Sequence, residues 1–205
     1  MSGLDLFKKR APRWSVHVLL GVSFVISLFL LPKLYFAAGA IIVTICFVII
    51  EFARFRVPAI QRWLELRLAL FLRPEEQRHL TGATYFLIGA TITSVAFSRN
   101  VAALAILFLA FGDPAAAVIG TWRRRTKPWE RMREGNLACL VACAVIAVVM
   151  NVATHEPGLL AAEVGAVFGT VCQALPWRVN DNLTIPIGSA AAMLLTAMIL
   201  RALAS

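Results

Sequence analysis

Residues 35–52 read Tyr35-Phe36-Ala37-Ala38-Gly39-Ala40-Ile41-Ile42-Val43-Thr44-Ile45-Cys46-Phe47-Val48-Ile49-Ile50-Glu51-Phe52, a nearly unbroken apolar run. A helix rises about 1.5 Å per residue and the hydrocarbon core of a bilayer is about 30 Å thick, so roughly 20 such residues make one crossing. Comparable runs fall near 14–32, 80–97, 101–121, 137–153, 158–175 and 183–203. A cleaved signal peptide is the rival reading of the first. It is long for that role and a second span follows almost at once, so it reads as the first membrane helix. The expectation is an all-α, polytopic membrane protein with about seven transmembrane helices. Composition agrees: 60% of residues are hydrophobic, 15% are charged and the mean hydropathy is +0.80. Soluble domains run at ~45–50% apolar and about 25% charged.

Basic loops stay in the cytoplasm, so the arginines and lysines orient the spans. Lys8, Lys9, Arg10 and Arg13 precede the first span, and Arg54, Arg56, Arg62, Arg67, Arg73 and Arg78 follow the second. Arg123, Arg124, Arg125, Lys127, Arg131 and Arg133 separate the fourth from the fifth, and Arg178 the sixth from the seventh. Of the 20 basic residues only Lys33, Arg99 and Arg201 fall on the other side. The amino terminus is therefore expected in the cytoplasm and the carboxyl terminus outside. Residues 1–205 read as one membrane domain, with a basic arm at 1–13 and cytoplasmic loops at 53–79 and 122–136. Within the first loop, Trp63 to Arg73 has the pattern of an amphipathic helix lying in the interface.

The formal charge of +9 follows from this topology, and anionic lipid head groups hold such loops. No groove-reading motif accompanies the charge, which argues against nucleic acid. A polyphosphate is the better anion. Cys46, Cys139, Cys143 and Cys172 all lie within expected helices, and no His or further Cys completes a zinc spacing. They read as small packing residues.

Ionisable groups inside membrane segments are costly and mark function by default. Asp113 is the strongest, in Phe111-Gly112-Asp113-Pro114-Ala115-Ala116. Its neighbours should weaken or break the helix, which suits a magnesium ligand; a helix cap with Pro at the next position is compatible with that role. Glu163 is the second deep acid. Asn180-Asp181-Asn182 gathers carboxylate and amide oxygens at the start of the seventh span, fit for a metal or for capping. Arg131, Arg133 and Glu134 stand where the fifth span begins, beside a helix amino terminus that favours anions. In the expected topology all but Glu163 converge on the cytoplasmic leaflet, acids for a metal and arginines for phosphates.

With those residues in view the chain resembles the family of dolichol kinases, phytol kinases and CTP-dependent diacylglycerol kinases, distant relatives of the phosphatidate cytidylyltransferases. The resemblance covers most of 73–190. It rests on Arg73-Pro74-Glu75-Glu76, Leu80-Thr81-Gly82-Ala83-Thr84-Tyr85-Phe86, Gly112-Asp113 with Ala117 and Gly120, Glu134-Gly135, Ala174-Leu175-Pro176, and Asp181-Asn182-Leu183-Thr184-Ile185-Pro186. It implies a membrane lipid kinase using CTP and Mg2+ on a polyprenol, phytol or diacylglycerol hydroxyl. Asp113 and Asp181 would be metal and catalytic acids, Glu134 a catalytic-site partner, and Arg123, Arg124, Arg131, Arg133 and Asn182 the nucleotide and phosphate contacts. Three positions depart from the family pattern: Arg131 replaces a Lys, Gln173 replaces a Glu before the Leu-Pro pair, and Asn136 replaces a Ser or Thr. The general base is open between Asp113, Glu163 and a water. A cytidylyltransferase-like enzyme and a non-enzymatic transporter or scaffold are the alternative functions.

Overall fold

A peptide group in lipid must be hydrogen-bonded within its own segment, so apolar runs of this length become helices. The computed structural model of the chain describes residues 3–68, 76, 79–122, 128–175 and 179–204, and these contain helices and no strand. The helices are α1 (Gly3–Leu30), α2 (Lys33–Arg56), α3 (Pro58–Leu68), α4 (Gly82–Ala96), α5 (Arg99–Leu107), α6 (Asp113–Trp122), α7 (Pro128–Thr154), α8 (Leu159–Ala174) and α9 (Asp181–Ala204). A π-helical turn at Phe108–Gly112 joins α5 to α6. Five stretches are long and apolar enough to cross a membrane: Ala11–Leu30, Lys33–Arg56, Arg99–Gly120, Met132–Thr154 and Asp181–Ala204. The apolar helices α4 and α8, of 15 and 16 residues, stand where the third and sixth spans are expected.

The α5–α6 span is the axis of the bundle and the most enclosed of the five. Val101, Ala102, Ala103, Leu104, Ala105 and Ile106 are all buried. Three alanines among them let neighbouring helices approach closely, the packing that substitutes for a hydrophobic driving force in lipid. Around this axis α1, α4, α7, α8 and α9 pack, with α2 outside α4.

Close backbone approach recurs at two glycines. A side-chain carbon at Gly89 would lie 2.5 Å from the Asn182 carbonyl oxygen, which seats the start of α9 directly on α4. One at Gly135 would lie 3.2 Å from the Ala116 carbonyl oxygen, which seats α7 on α6.

Helix continues into both expected cytoplasmic loops. Helix α2 continues to Arg56 and α3 fills Pro58–Leu68, so much of 53–79 is helical. Helix α7 begins at Pro128, so most of the expected 122–136 loop is its first turns; Pro at a helix start loses no hydrogen bond. The axis helix also differs. It is not broken at Gly112-Asp113-Pro114: Asp113 is itself helical, at φ −62° and ψ −48°, and therefore not a cap. Pro114 offers no N–H and crowds the carbonyl four residues back, and the wider π turn immediately before it relieves both.

Candidate functional site

The ends of α2, α6 and α8 and the starts of α4, α7 and α9 meet at one end of the bundle, where Arg54, Arg56, Arg62, Arg67 and Arg133 also fall. At the opposite end Arg99 Nη2 donates to the Leu31 carbonyl (3.1 Å) and Asn100 Nδ2 to Glu156 Oε2 (3.0 Å).

Asp113 occupies the first turn of α6, nine residues from Trp122, so roughly 13 Å inside the basic end. Its Oδ2 lies 4.0 Å from His17 Nε2 of α1, and both side chains are largely shielded. The His17 ring meets Phe86 of α4 edge-on, with centroids 5.3 Å apart. On the other side Gly112 faces the Cys139 and Cys143 sulfurs of α7, which lie 4.0 Å from each other. All four cysteines are free thiols.

Asp181 opens α9 with its neighbour Asn180 acting as the cap: Asn180 Oδ1 accepts from the Asn182 N–H at 3.0 Å. Gly112, beside Asp113, faces Cys139 of α7, and Gly188, two turns along α9 from Asp181, faces Cys172 of α8. Thr170, two residues before Cys172, donates to Cys139 Sγ at 3.7 Å. Asp113 thus stands on α6, which packs against α7, and Asp181 on α9, which packs against α8.

The remaining expected residues divide. Glu134 is half-buried one residue before the α6–α7 contact at Gly135, and it is engaged by a neighbour. Arg133 is exposed. Arg123 and Arg124 lie outside the described residues, and of Arg131 only its place on α7 is described. Asn182 is 8% exposed, and its Nδ2 donates to the Gly82 carbonyl at 2.8 Å. That amide holds α9 to α4. Glu163 sits in the second turn of α8, toward the opposite end from Asp181.

A second polar cluster adjoins Asn182, and sequence reasoning missed its centre. Glu51 and Arg54, 4% and 3% exposed, form an ion pair at the end of α2. Glu51 Oε1 accepts from the Thr81 N–H (2.9 Å), the Thr81 hydroxyl (2.5 Å) and the Thr84 hydroxyl (2.9 Å). Arg54 Nη2 donates to the carbonyls of Glu76 (2.7 Å) and His79 (2.5 Å). Glu76 Oε1 accepts from the Gly82 N–H at 3.0 Å. The amino terminus of α4 is thus filled by the chain's own carboxylates. Both Glu51 and His17 are ionisable groups inside expected spans, the signal that marked Asp113.

No family model and no solved structure matches the chain. Among known proteins, it is similar to a kinase. The relative is CTP-dependent diacylglycerol kinase 1 of Schizosaccharomyces pombe, 25% identical over 154 residues that cover 67% of this chain and 70% of that protein. The likeness falls within one of the activities named by the motif resemblance.

Proposed function

We propose that the chain is a membrane lipid kinase that transfers a phosphoryl group from a nucleoside triphosphate, CTP by preference, to the hydroxyl of a lipid alcohol. In this reading seven helices cross the membrane, α4 and α8 among them, with the amino terminus and the site facing the cytoplasm. The observation that carries it is the placement of Asp113: a shielded carboxylate on the axis helix, one residue past a π turn and nine residues in from the end of α6. Such turns collect at functional sites. Similarity to a CTP-dependent diacylglycerol kinase supports the donor and the class of acceptor.

Phosphoryl transfer asks mainly for positioning and charge neutralisation. The lipid oxygen attacks the terminal phosphorus, the bond to the bridging oxygen breaks, and the nucleoside diphosphate leaves. Arg123, Arg124, Arg131 and Arg133 are proposed to meet the phosphates. Glu134 and Asn182 support the site, Asn182 by fixing α9 against α4. Asp113 orients the hydroxyl proton for transfer.

Asp113 and Asp181 are the carboxylates that would hold a magnesium ion. Among the described residues no three His, Cys, Asp or Glu side chains converge. Magnesium needs no such cage, since it keeps several waters and takes one or two carboxylates beside the substrate's phosphates. When bound it would supply charge neutralisation at the transferring group.

The test is turnover by purified protein given CTP or ATP with Mg2+ and diacylglycerol, polyprenol or phytol in turn. Phosphorylated lipid with a nucleoside diphosphate is the expected product. Pyrophosphate release on addition of phosphatidate would move the reading to a cytidylyltransferase, and no reaction with any pair would overturn catalysis.

A further inference from the structure

One ionisable group inside a span takes no part in the mechanism above. His17 lies midway along α1, within the stretch long and apolar enough to cross a membrane, and its Nε2 stands 4.0 Å from Asp113 Oδ2. An ionisable side chain in such a segment is costly and marks function by default.

Helix packing sets His17 against Asp113. One turn along α1, Gly21 faces the π turn so closely that a side-chain carbon there would lie 2.3 Å from Ala110 Cβ. His17 and Gly21 are four residues apart and share one face of α1. Ala110 precedes Asp113 by three residues on the axis, so the pairs Gly21–Ala110 and His17–Asp113 follow one antiparallel line of contact. Phe86 of α4 closes the seat. Its buried ring meets the His17 ring edge-on, with the planes 78° apart, and its Cζ would lie 3.7 Å from the same carbon at Gly21. The register of α1 and a fixed aromatic ring together aim the imidazole at the carboxylate.

The chemistry of the pair suggests its use. A neutral imidazole can carry its proton on Nε2 and donate it, and an ionised carboxylate accepts at either oxygen. At 4.0 Å the two groups are within ion-pair range but beyond hydrogen-bond length. Catalytic hydrogen bonds are often long without substrate and tighten in the reacting complex. The Asp113 side chain is 23% exposed and that of His17 14%, so the acid keeps a reachable face with the imidazole beside it.

We propose that His17 is the positioning residue of Asp113: its Nε2–H donates to Oδ2 as substrate binds, which fixes the carboxylate and leaves Oδ1 for the hydroxyl proton of the acceptor. The proposal rests on the lipid-kinase reading for the identity of that acceptor. His17 neither gains nor loses a proton in the transfer.

The experiment compares two variants with the unaltered protein in detergent, using dioctanoylglycerol, CTP and Mg2+. His17→Phe keeps an aromatic ring against Phe86 and removes the donor, whereas His17→Gln drops the ring and supplies an N–H. His17→Phe should lower kcat about 30-fold and leave both KM values within about twofold, as expected for a residue that orients another. His17→Gln should recover kcat to within about fivefold of the unaltered protein, since its amide can donate. Added to Asp113→Asn, His17→Phe should cause no further loss, because it acts through that carboxylate. An unchanged kcat in folded His17→Phe, a phenylalanine tolerated better than glutamine, or additive losses in the double variant would each overturn the proposal.

A second readout needs no turnover. The chain has three histidines, and isotopic labelling of their imidazole nitrogens gives resonances among which His17→Phe identifies those of His17. Asp113→Asn should shift the His17 resonances and leave those of His79 and His155 in place. That shift in a protein without turnover would keep the pair and discard the kinase. Turnover with His17 resonances that ignore Asp113→Asn would keep the kinase and discard the pair, and a protein with neither turnover nor shift would sink both.

Discussion

Two polar clusters sit at the basic end of the bundle, and they are built in opposite ways. Around Glu51 the carboxylate oxygens and the guanidinium are met by Thr81, Thr84, Glu76, His79 and each other. On α6, Asp113 has His17 at 4.0 Å, and on α8 and α9 the Gln173 and Thr184 oxygens are unmatched among the described residues. A closed network fixes helices and leaves no valence for a ligand. An open one tolerates unmet hydrogen bonds, which selection retains where something binds. Burial alone would rank the Glu51 cluster first, whereas satisfaction of its groups assigns it to the fold.

That contrast can be broken most sharply at Asp113. Asp113→Asn keeps the size of the side chain and removes its charge, and nucleotide-dependent lipid phosphorylation should fall by about 1,000-fold, within the range for loss of one proton-handling or charge-stabilising group. Arg54→Met attacks the closed cluster instead. It strands the Glu51 carboxylate in a buried site and should cost about 3–5 kcal/mol, read as a lower thermal midpoint in detergent.

Gly89→Ala tests the α4–α9 contact that the closed cluster braces. Its new carbon would collide with the Asn182 carbonyl, and overpacking of this kind costs about 1–3 kcal/mol. The smallest effect belongs to Arg133→Gln. An exposed cation beside a phosphate is worth about 1 kcal/mol or less, so the KM for CTP should rise roughly fivefold at most, and less in high salt.

Much of this architecture is legible in the chain because lipid imposes one rule on every span. The apolar runs mark the helices, and Gly112-Asp113-Pro114 marks an irregularity on the axis. Its form is not legible, since a break and a π turn relieve the same proline and only packing around Ala110 and Gly112 chooses between them. Arg54 reads from the sequence as one of many orientation charges. Its partner Glu51 closes an apolar run, and that position was the available clue. The role of Asn182 was hidden for another reason: its partner Gly82 is 100 residues away, and a helix-capping tripeptide looks the same with or without it. Gln173 stands out as a departure from the family's Glu, but the orphaned state of its oxygen is a property of the folded seam.

Turnover per folded molecule, for Arg54→Met and Asp113→Asn measured side by side at low temperature, tests the division between the clusters most directly. The account predicts near-normal lipid phosphorylation by the folded fraction of Arg54→Met and almost none by Asp113→Asn, whose midpoint matches the unaltered protein. Loss of turnover in well-folded Arg54→Met, with activity kept in Asp113→Asn, would contradict it.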